Sequence, residues 1–133
     1  MKANELQIED WVTGKKWREN PFKLTRINDN GKYYYGITSD GNQVGPFLIE
    51  ELAPIPLTPE ILEKNGFKKD EKNEEMYYWN WSISDNCVSY DKETNVIRIF
   101  HTLGHLVFVE PLSYVHELQH ALKLCGVEKE LIL

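Results

Sequence analysis

The sequence predicts an α+β protein, and three observations lead to this fold class. Short runs that alternate apolar and polar residues recur along most of the chain, as in half-buried strands of antiparallel sheets. A proline-led segment with a helix start interrupts them at 54–66, and a second helical pattern follows the last strand at 114–125. We therefore expect an N-terminal SH3-like small β-barrel, followed by an antiparallel β-meander packed with two helices.

The first 53 residues are predicted to form short strands separated by turns. The runs "DWVTG", "PFKLTRI", "KYYYGITS" and "VGPFLIEEL" have strand character. Asn30-Gly31 accepts positive φ at both turn positions and predicts a hairpin between the second and third runs. Strict alternation divides the second run into two faces: Phe22, Leu24 and Arg26 on one, Lys23, Thr25 and Ile27 on the other. Four strands at this spacing favour a small barrel or a strongly bent sheet.

The segment "APIPLTPE" marks the predicted domain boundary. Pro54 and Pro56 exclude a helix and favour an extended backbone. Thr58 is a good N-cap, Pro59 suits the first helical position, and Gly66 suits the position after the helix. We therefore divide the chain into a barrel subdomain, residues 1–53, and an α+β subdomain, residues 54–133. A single core shared by both is the alternative.

The second half of the chain predicts an antiparallel meander of about four strands. Its strand-like runs are "EMYYWNWSIS", "CVSYD", "NVIRIF" and "HLVFVE". The charged stretch 68–75 before them is predicted to be a loop. Pro111 ends the last strand, and the final helix is expected to begin near Ser113 and to stop at Gly126.

Charge and cysteine content bound the classes of function. The net charge of −6 opposes a protein that neutralises many phosphates, although residues 1–50 balance seven acidic with seven basic side chains. No stretch suits a signal peptide or a membrane span, so we expect no membrane partner. Cys87 and Cys125 lie far apart and match no metal or redox spacing. Together these features favour a cytoplasmic protein with two reduced thiols.

The stretch "HELQH" at 116–120 matches H-E-x-x-H, the zinc-binding helix of many metalloproteases. His116 and His120 stand one helical turn apart and could both hold zinc. Glu117 would then activate a metal-bound water as the catalytic residue. A catalytic site also needs a third protein ligand, with one position left for water.

The third ligand is missing from the expected positions. The extended form of the motif would place Gly at 123 and His at 126, where this chain has Lys123 and Gly126. Helical periodicity also predicts that His116 and His120 lie opposite the apolar face, towards solvent. We therefore expect a surface helix, with no catalytic residue, no metal ligand and no cofactor. A minimal zinc hydrolase is retained as an alternative.

Aromatic and basic residues near the start suggest a binding surface. Small barrels with such surfaces hold peptides or nucleic acid. The candidate binding residues are Trp11, Lys15, Lys16, Trp17, Arg18 and Tyr34. Two other candidates have ordinary structural interpretations: Cys87 as a buried strand thiol, and the Trp79/Trp81 face as the wall of a core.

Three stretches resemble an uncharacterised family of short gut-bacterial proteins associated with phages and mobile elements. They are "NELQIEDWV" at 4–12, "PIPLTPEILEKNGF" at 54–67 and "YVHELQHAL" at 114–122. Members often have Asn where His120 stands, so the resemblance implies that the complete zinc pattern is peculiar to this chain. The resemblance does not indicate any particular activity, cofactor or substrate.

These observations favour a non-catalytic binding or accessory module of phage or mobile-element origin. We expect its partner to be a protein or a second copy of the chain. A nucleic-acid-associated factor that uses the basic aromatic N-terminal surface is the first alternative, and the zinc hydrolase is the second.

Overall fold

Two antiparallel sheets and two helices make up the protein, which confirms the predicted α+β class. The computed structural model describes residues 5–80, 85–102 and 104–133, and gives only the backbone of 17–19. The chain divides into two compact units. Unit 1 comprises Met1–Pro56 and Tyr114–His116, and unit 2 comprises Leu57–Ser113 and Glu117–Leu133.

Unit 1 contains a five-stranded sheet. Its strands are β1 (Trp11–Gly14), β2 (Trp17–Asn28), β3 (Tyr33–Thr38), β4 (Gln43–Phe47) and β5 (Leu52–Pro54). They lie in the order β4-β3-β2-β1-β5, and all neighbouring strands are antiparallel. Among the described residues β4 and β5 are the two edges, so the sheet is open and the SH3-like barrel is not confirmed.

A bulge in β2 changes which side chains face the core. Leu24 pairs with Gly36 of β3, but Arg26 pairs with the adjacent Tyr35, so Thr25 is an extra residue. Thr25 and Arg26 are both exposed as a result, whereas Ile27 packs against the core of the unit. Strict alternation predicts the reverse for Arg26 and Ile27, and that prediction is wrong because it counts no bulge.

The core of unit 1 forms between the inward-facing side chains of these strands and the segment before β1. Its buried members are Leu6, Val12, Phe22, Leu24, Tyr34, Phe47 and Leu52. The rings of Phe22 and Phe47 stack with centroids 5.0 Å apart. The hairpin predicted at Asn30-Gly31 is present, with positive φ at both residues.

The first helix, α1 (Pro59–Lys64), has the predicted ends. The N–H of Ile61 donates to Oγ1 of Thr58 at 3.2 Å, and Pro59 is the first helical residue. Gly66 takes positive φ beyond the helix, and the N–H of Phe67 donates to the carbonyl of Leu62. These bonds satisfy backbone groups that a helix end leaves open.

Unit 2 contains the second five-stranded sheet. Its strands are β6 (Lys68–Lys69), β7 (Met76–Trp79), β8 (Cys87–Asp91), β9 (Val96–Phe100) and β10 (Leu106–Pro111). They lie in the order β10-β9-β8-β7-β6, an antiparallel meander as predicted. The predicted charged loop contributes β6, and the predicted strand residues 81–84 lie outside the described part of the chain.

The second helix, α2 (Val115–Leu124), begins one residue later than a Ser113 cap would place it. Tyr114 is still extended and bridges Pro56, and the N–H of Val115 donates to the carbonyl of Ile55 at 2.8 Å. Gly126 ends the helix with positive φ, as predicted. No helix in the described part of the chain has the length and apolar character needed to cross a membrane.

Candidate functional site

His116 is buried in the structure, although the sequence predicts that it faces solvent. Its side chain is only 3% exposed, and its ring stacks on Tyr114 with centroids 6.0 Å apart. Tyr114 precedes the helix in extended conformation and is 37% exposed. The buried residues of α2 are Val115, His116, Leu118, Ala121 and Leu122.

Glu117 has a structural role at the start of α2. Its Oε1 accepts a hydrogen bond from the N–H of Ser113 at 3.0 Å, so the carboxylate holds the chain that enters the helix. A negative charge in the first turn also interacts favourably with the helix dipole. The Glu of H-E-x-x-H therefore acts here as a helix-capping residue.

The described residues do not assemble a metal site around this helix. His120 is half-buried, one turn after His116. No three His, Cys, Asp or Glu side chains in the described ranges are placed so that they could hold a metal ion together. Among these described residues, no third ligand of the kind that zinc chemistry requires stands beside the two histidines.

The structure separates the predicted binding residues. Trp11 and Tyr34 are buried, at 4% and 1% exposure, so neither ring offers a surface to a ligand. Lys15 and Lys16 are exposed in the turn between β1 and β2. The side chains of Trp17 and Arg18 lie outside the described part of the structure.

Neither cysteine forms a disulfide. Cys87 is fully buried in β8, which agrees with its predicted role as a strand thiol. Burial raises the pKa of the Cys125 thiol above its ordinary value of 9.0, so it stays protonated at neutral pH. Trp79 is half-buried, with Nζ of Lys129 5.9 Å from its ring, and Trp81 lies outside the described residues.

Strand β10 is an exposed apolar edge. It pairs with β9 on one side and has no other neighbour in the described part of the sheet. Leu106, Val107 and Val109 are 48%, 43% and 48% exposed. An edge strand presents N–H and C=O groups that can pair with another chain.

The other three edges carry features that discourage such pairing. β6 has two residues, both exposed lysines, and β5 has three residues and ends in Pro54. β4 contains Pro46, which has no N–H to donate. β10 has six residues and no lysine, and its interruptions are a bulge near Val107 and the residues Glu110 and Pro111 at its end.

A second exposed feature lies on the outer face of the β2–β3 hairpin. The guanidinium carbon of Arg26 lies 4.0 Å from the ring centroid of Tyr35, and Nζ of Lys32 lies 5.3 Å from that of Tyr33. On the same hairpin, Nζ of Lys23 lies 5.6 Å from the Trp11 ring. We call Lys23, Arg26, Lys32, Tyr33 and Tyr35 the cation–aromatic face.

Sequence reasoning missed the cation–aromatic face because it chose Tyr34 from the triple tyrosine. Tyr34 points to the core, so its neighbours Tyr33 and Tyr35 lie on the outer side of β3. The alternation itself was the available signal, but it does not say which of the two faces is buried.

Comparisons with models of protein families, with curated proteins and with solved structures find no match. The resemblance based on the three motifs therefore stays a prediction.

Proposed function

We propose that this chain is a non-catalytic binding module that holds an extended segment of a protein partner by strand addition to β10. The proposal rests on the exposure of three apolar side chains along a six-residue edge strand. A partner strand would pair with the open backbone groups, and its side chains would cover the exposed valines and leucine.

Charge favours a basic partner over a second copy of the chain. Two copies would each bring a net charge of −6 to the interface, which repels at low salt. Glu110 is the one charged residue on β10 and is exposed at its end. The occupant we propose is therefore an extended apolar segment flanked by lysine or arginine.

A phage or mobile-element origin and a cytoplasmic location belong to the same proposal. The resemblance of the three motifs supports the origin. Cys87 and Cys125 form no disulfide, which suits a reducing compartment. The open, bulged sheet of unit 1 is compatible with a distorted SH3-like arrangement, which is also part of the proposal.

Synthetic peptides test strand addition directly. The probe is a twelve-residue peptide of alternating Val and Thr with two lysines at each end. The control peptide has glutamates in place of these lysines. We expect micromolar binding of the lysine peptide by fluorescence anisotropy, weaker binding of the glutamate peptide, and slower amide hydrogen exchange in β10 on binding.

Two substitutions give a matched comparison. Val109→Lys places a charge on the exposed edge and should weaken binding by about tenfold or more, which corresponds to ~1.4 kcal/mol. Leu124→Lys makes the same type of change at a 79% exposed position of α2 and should leave binding unchanged.

Equal binding by Val109→Lys and wild type, or unchanged exchange in β10, would contradict the proposal. A dimer in light scattering that Val109→Lys dissociates would show that a second copy is the occupant instead.

A further inference from the structure

We infer that the cation–aromatic face is a second binding site, and that its ligand is the phosphate backbone and bases of a single-stranded nucleic acid. The site lies on β2, β3 and the turn between them in unit 1, and it shares no residue with β10. It is therefore independent of the strand-addition proposal.

Two cations of this face, Arg26 and Lys32, are available to an anion. Arg26 and Lys32 are exposed, and among the described residues they contact aromatic rings and pair with no carboxylate. The β2 bulge is what brings Arg26 to the outer face, opposite Tyr35. An arginine held over a ring keeps its charge and N–H groups for a phosphate.

A shallow cavity of about 250 Å³ adjoins Arg26. Its lining residues are Thr25, Arg26, Tyr35, Gly36, Gln43 and Val44. Drug-sized ligands and cofactors usually occupy clefts of about 300–1,000 Å³, so this cavity suits a single phosphate group or part of a base. The rest of such a ligand would lie along the open face.

The combination of rings and cations favours a nucleic acid over another polyanion. Tyr33 and Tyr35 are half-buried and share one side of β3, so two partly exposed aromatic rings lie next to the cations. Aromatic rings of this kind can stack with bases. An acidic peptide would use the cations alone. A duplex keeps its bases stacked inside, and the whole-chain charge of −6 opposes its dense phosphates.

The charge count sets the expected strength. If Arg26 and Lys32 each neutralise one phosphate, log K should fall with log salt with a slope of about −1.4 for a single strand. Binding is thus expected to be weak at physiological salt and measurable at low salt.

Fluorescence anisotropy with a labelled twelve-nucleotide DNA of mixed sequence, in 20–200 mM KCl, tests the site. Arg26→Gln should weaken binding and reduce the salt slope by about 0.7. Tyr35→Leu should weaken binding by about tenfold with little change in slope. Lys72→Gln removes the same charge from an exposed loop of unit 2 and is the matched control.

Competitors and folding controls make every outcome decisive. Circular dichroism and thermal melts verify that each variant is folded. Equal losses in Arg26→Gln and Lys72→Gln, equal affinity for polyglutamate, or binding of inorganic phosphate without oligonucleotide binding would each overturn the inference. Val109→Lys should bind the oligonucleotide like wild type, which separates this site from the β10 edge.

Discussion

Gly36 allows the ring of Phe22 to lie directly against the backbone of β3. A Cβ atom at this position would overlap Cδ2 of Phe22 and lie 2.7 Å from the carbonyl oxygen of Lys23. Gly36→Ala should therefore lower the free energy of unfolding by about 1–3 kcal/mol, because the core must shift to admit the methyl group. Urea denaturation followed by tryptophan fluorescence measures the change.

A double mutant separates the two contacts at Gly36. Phe22→Leu gives the new methyl group room on the ring side, whereas the carbonyl of Lys23 belongs to the backbone. We expect Gly36→Ala to cost less in the Phe22→Leu background than alone. Strictly additive effects would show that the ring is not what opposes the methyl group.

Substitutions of Glu117 test whether its side chain caps the helix. Because its carboxylate accepts from the N–H of Ser113, Glu117→Ala should destabilise the protein by about 1 kcal/mol. Glu117→Gln retains an acceptor oxygen and should recover most of that loss. Thermal melts measure both variants.

Addition of zinc tests the metal-binding alternative at the same helix. A metal that binds only the folded state raises the melting temperature. We expect equimolar zinc to leave the melting temperature of the wild type unchanged. A rise in the wild type that disappears in His120→Ala would favour the zinc alternative.

At the scale of elements, Asn65 joins the end of α1 to the C-terminal segment. Its amide nitrogen donates to the carbonyls of Ile61 and Ile132, and its Oδ1 accepts from the N–H of Ile132 at 2.7 Å. Asn65 is only 2% exposed. Asn65→Ala should cost about 2–4 kcal/mol, because three partially buried hydrogen bonds are lost.

Amide hydrogen exchange at Ile132 shows whether this pair of bonds holds the segment. Exchange should accelerate in Asn65→Ala. Thr58→Ala removes the cap at the other end of α1, costs about 1 kcal/mol, and should leave the relative protection of Ile132 unchanged. Equal acceleration in both variants would mean that Ile132 reports global unfolding.

The elements that sequence reasoning predicts well are those set by local chemistry. Thr58, Pro59 and Gly66 define α1 because capping depends on residues within one turn. Asn30-Gly31 predicts its hairpin for a similar reason, because the turn requires positive φ and these two residue types adopt it readily. Alternation then predicts the strands of the meander.

Features that depend on distant partners were not predictable in the same way. The β2 bulge exchanges the faces of the strand on which Arg26 and Ile27 lie. The bulge becomes apparent only from the pairing of β2 with β3. His116 is buried because the packing of the folded chain, and not helical periodicity alone, decides which side of α2 is covered. Both sites of interest, β10 and the cation–aromatic face, depend on such pairing.

At the scale of the whole molecule, buried acids should make stability fall in alkaline solution. Burial raises the pKa of Tyr34, Tyr78 and Tyr90 above the ordinary value of 10.0, with Asp70 and Asp91 adding to the effect at the latter two. Cys125 shifts in the same direction from 9.0. The folded state therefore keeps these protons at a pH where the unfolded chain releases them.

The sign of the linkage follows from proton counts. Below about pH 8 both states are protonated at these groups, and stability is independent of them. As the pH rises past the unfolded values, the unfolded state binds fewer protons, so the free energy of unfolding decreases. The added negative charge on a chain that already carries −6 acts in the same direction.

Urea denaturation between pH 7 and pH 11 tests this expectation. We expect a constant midpoint up to about pH 8 and a progressive decrease above it. Tyr90→Phe removes one of the groups together with its 2.8 Å hydrogen bond to Asn95, so it should lower the midpoint at pH 7 but reduce the alkaline slope. Tyr33→Phe, on the outer side of β3, controls for loss of a phenol and should not reduce that slope. A midpoint that stays constant to pH 11, or equal slopes in wild type and Tyr90→Phe, would show that burial of these side chains does not control the alkaline transition.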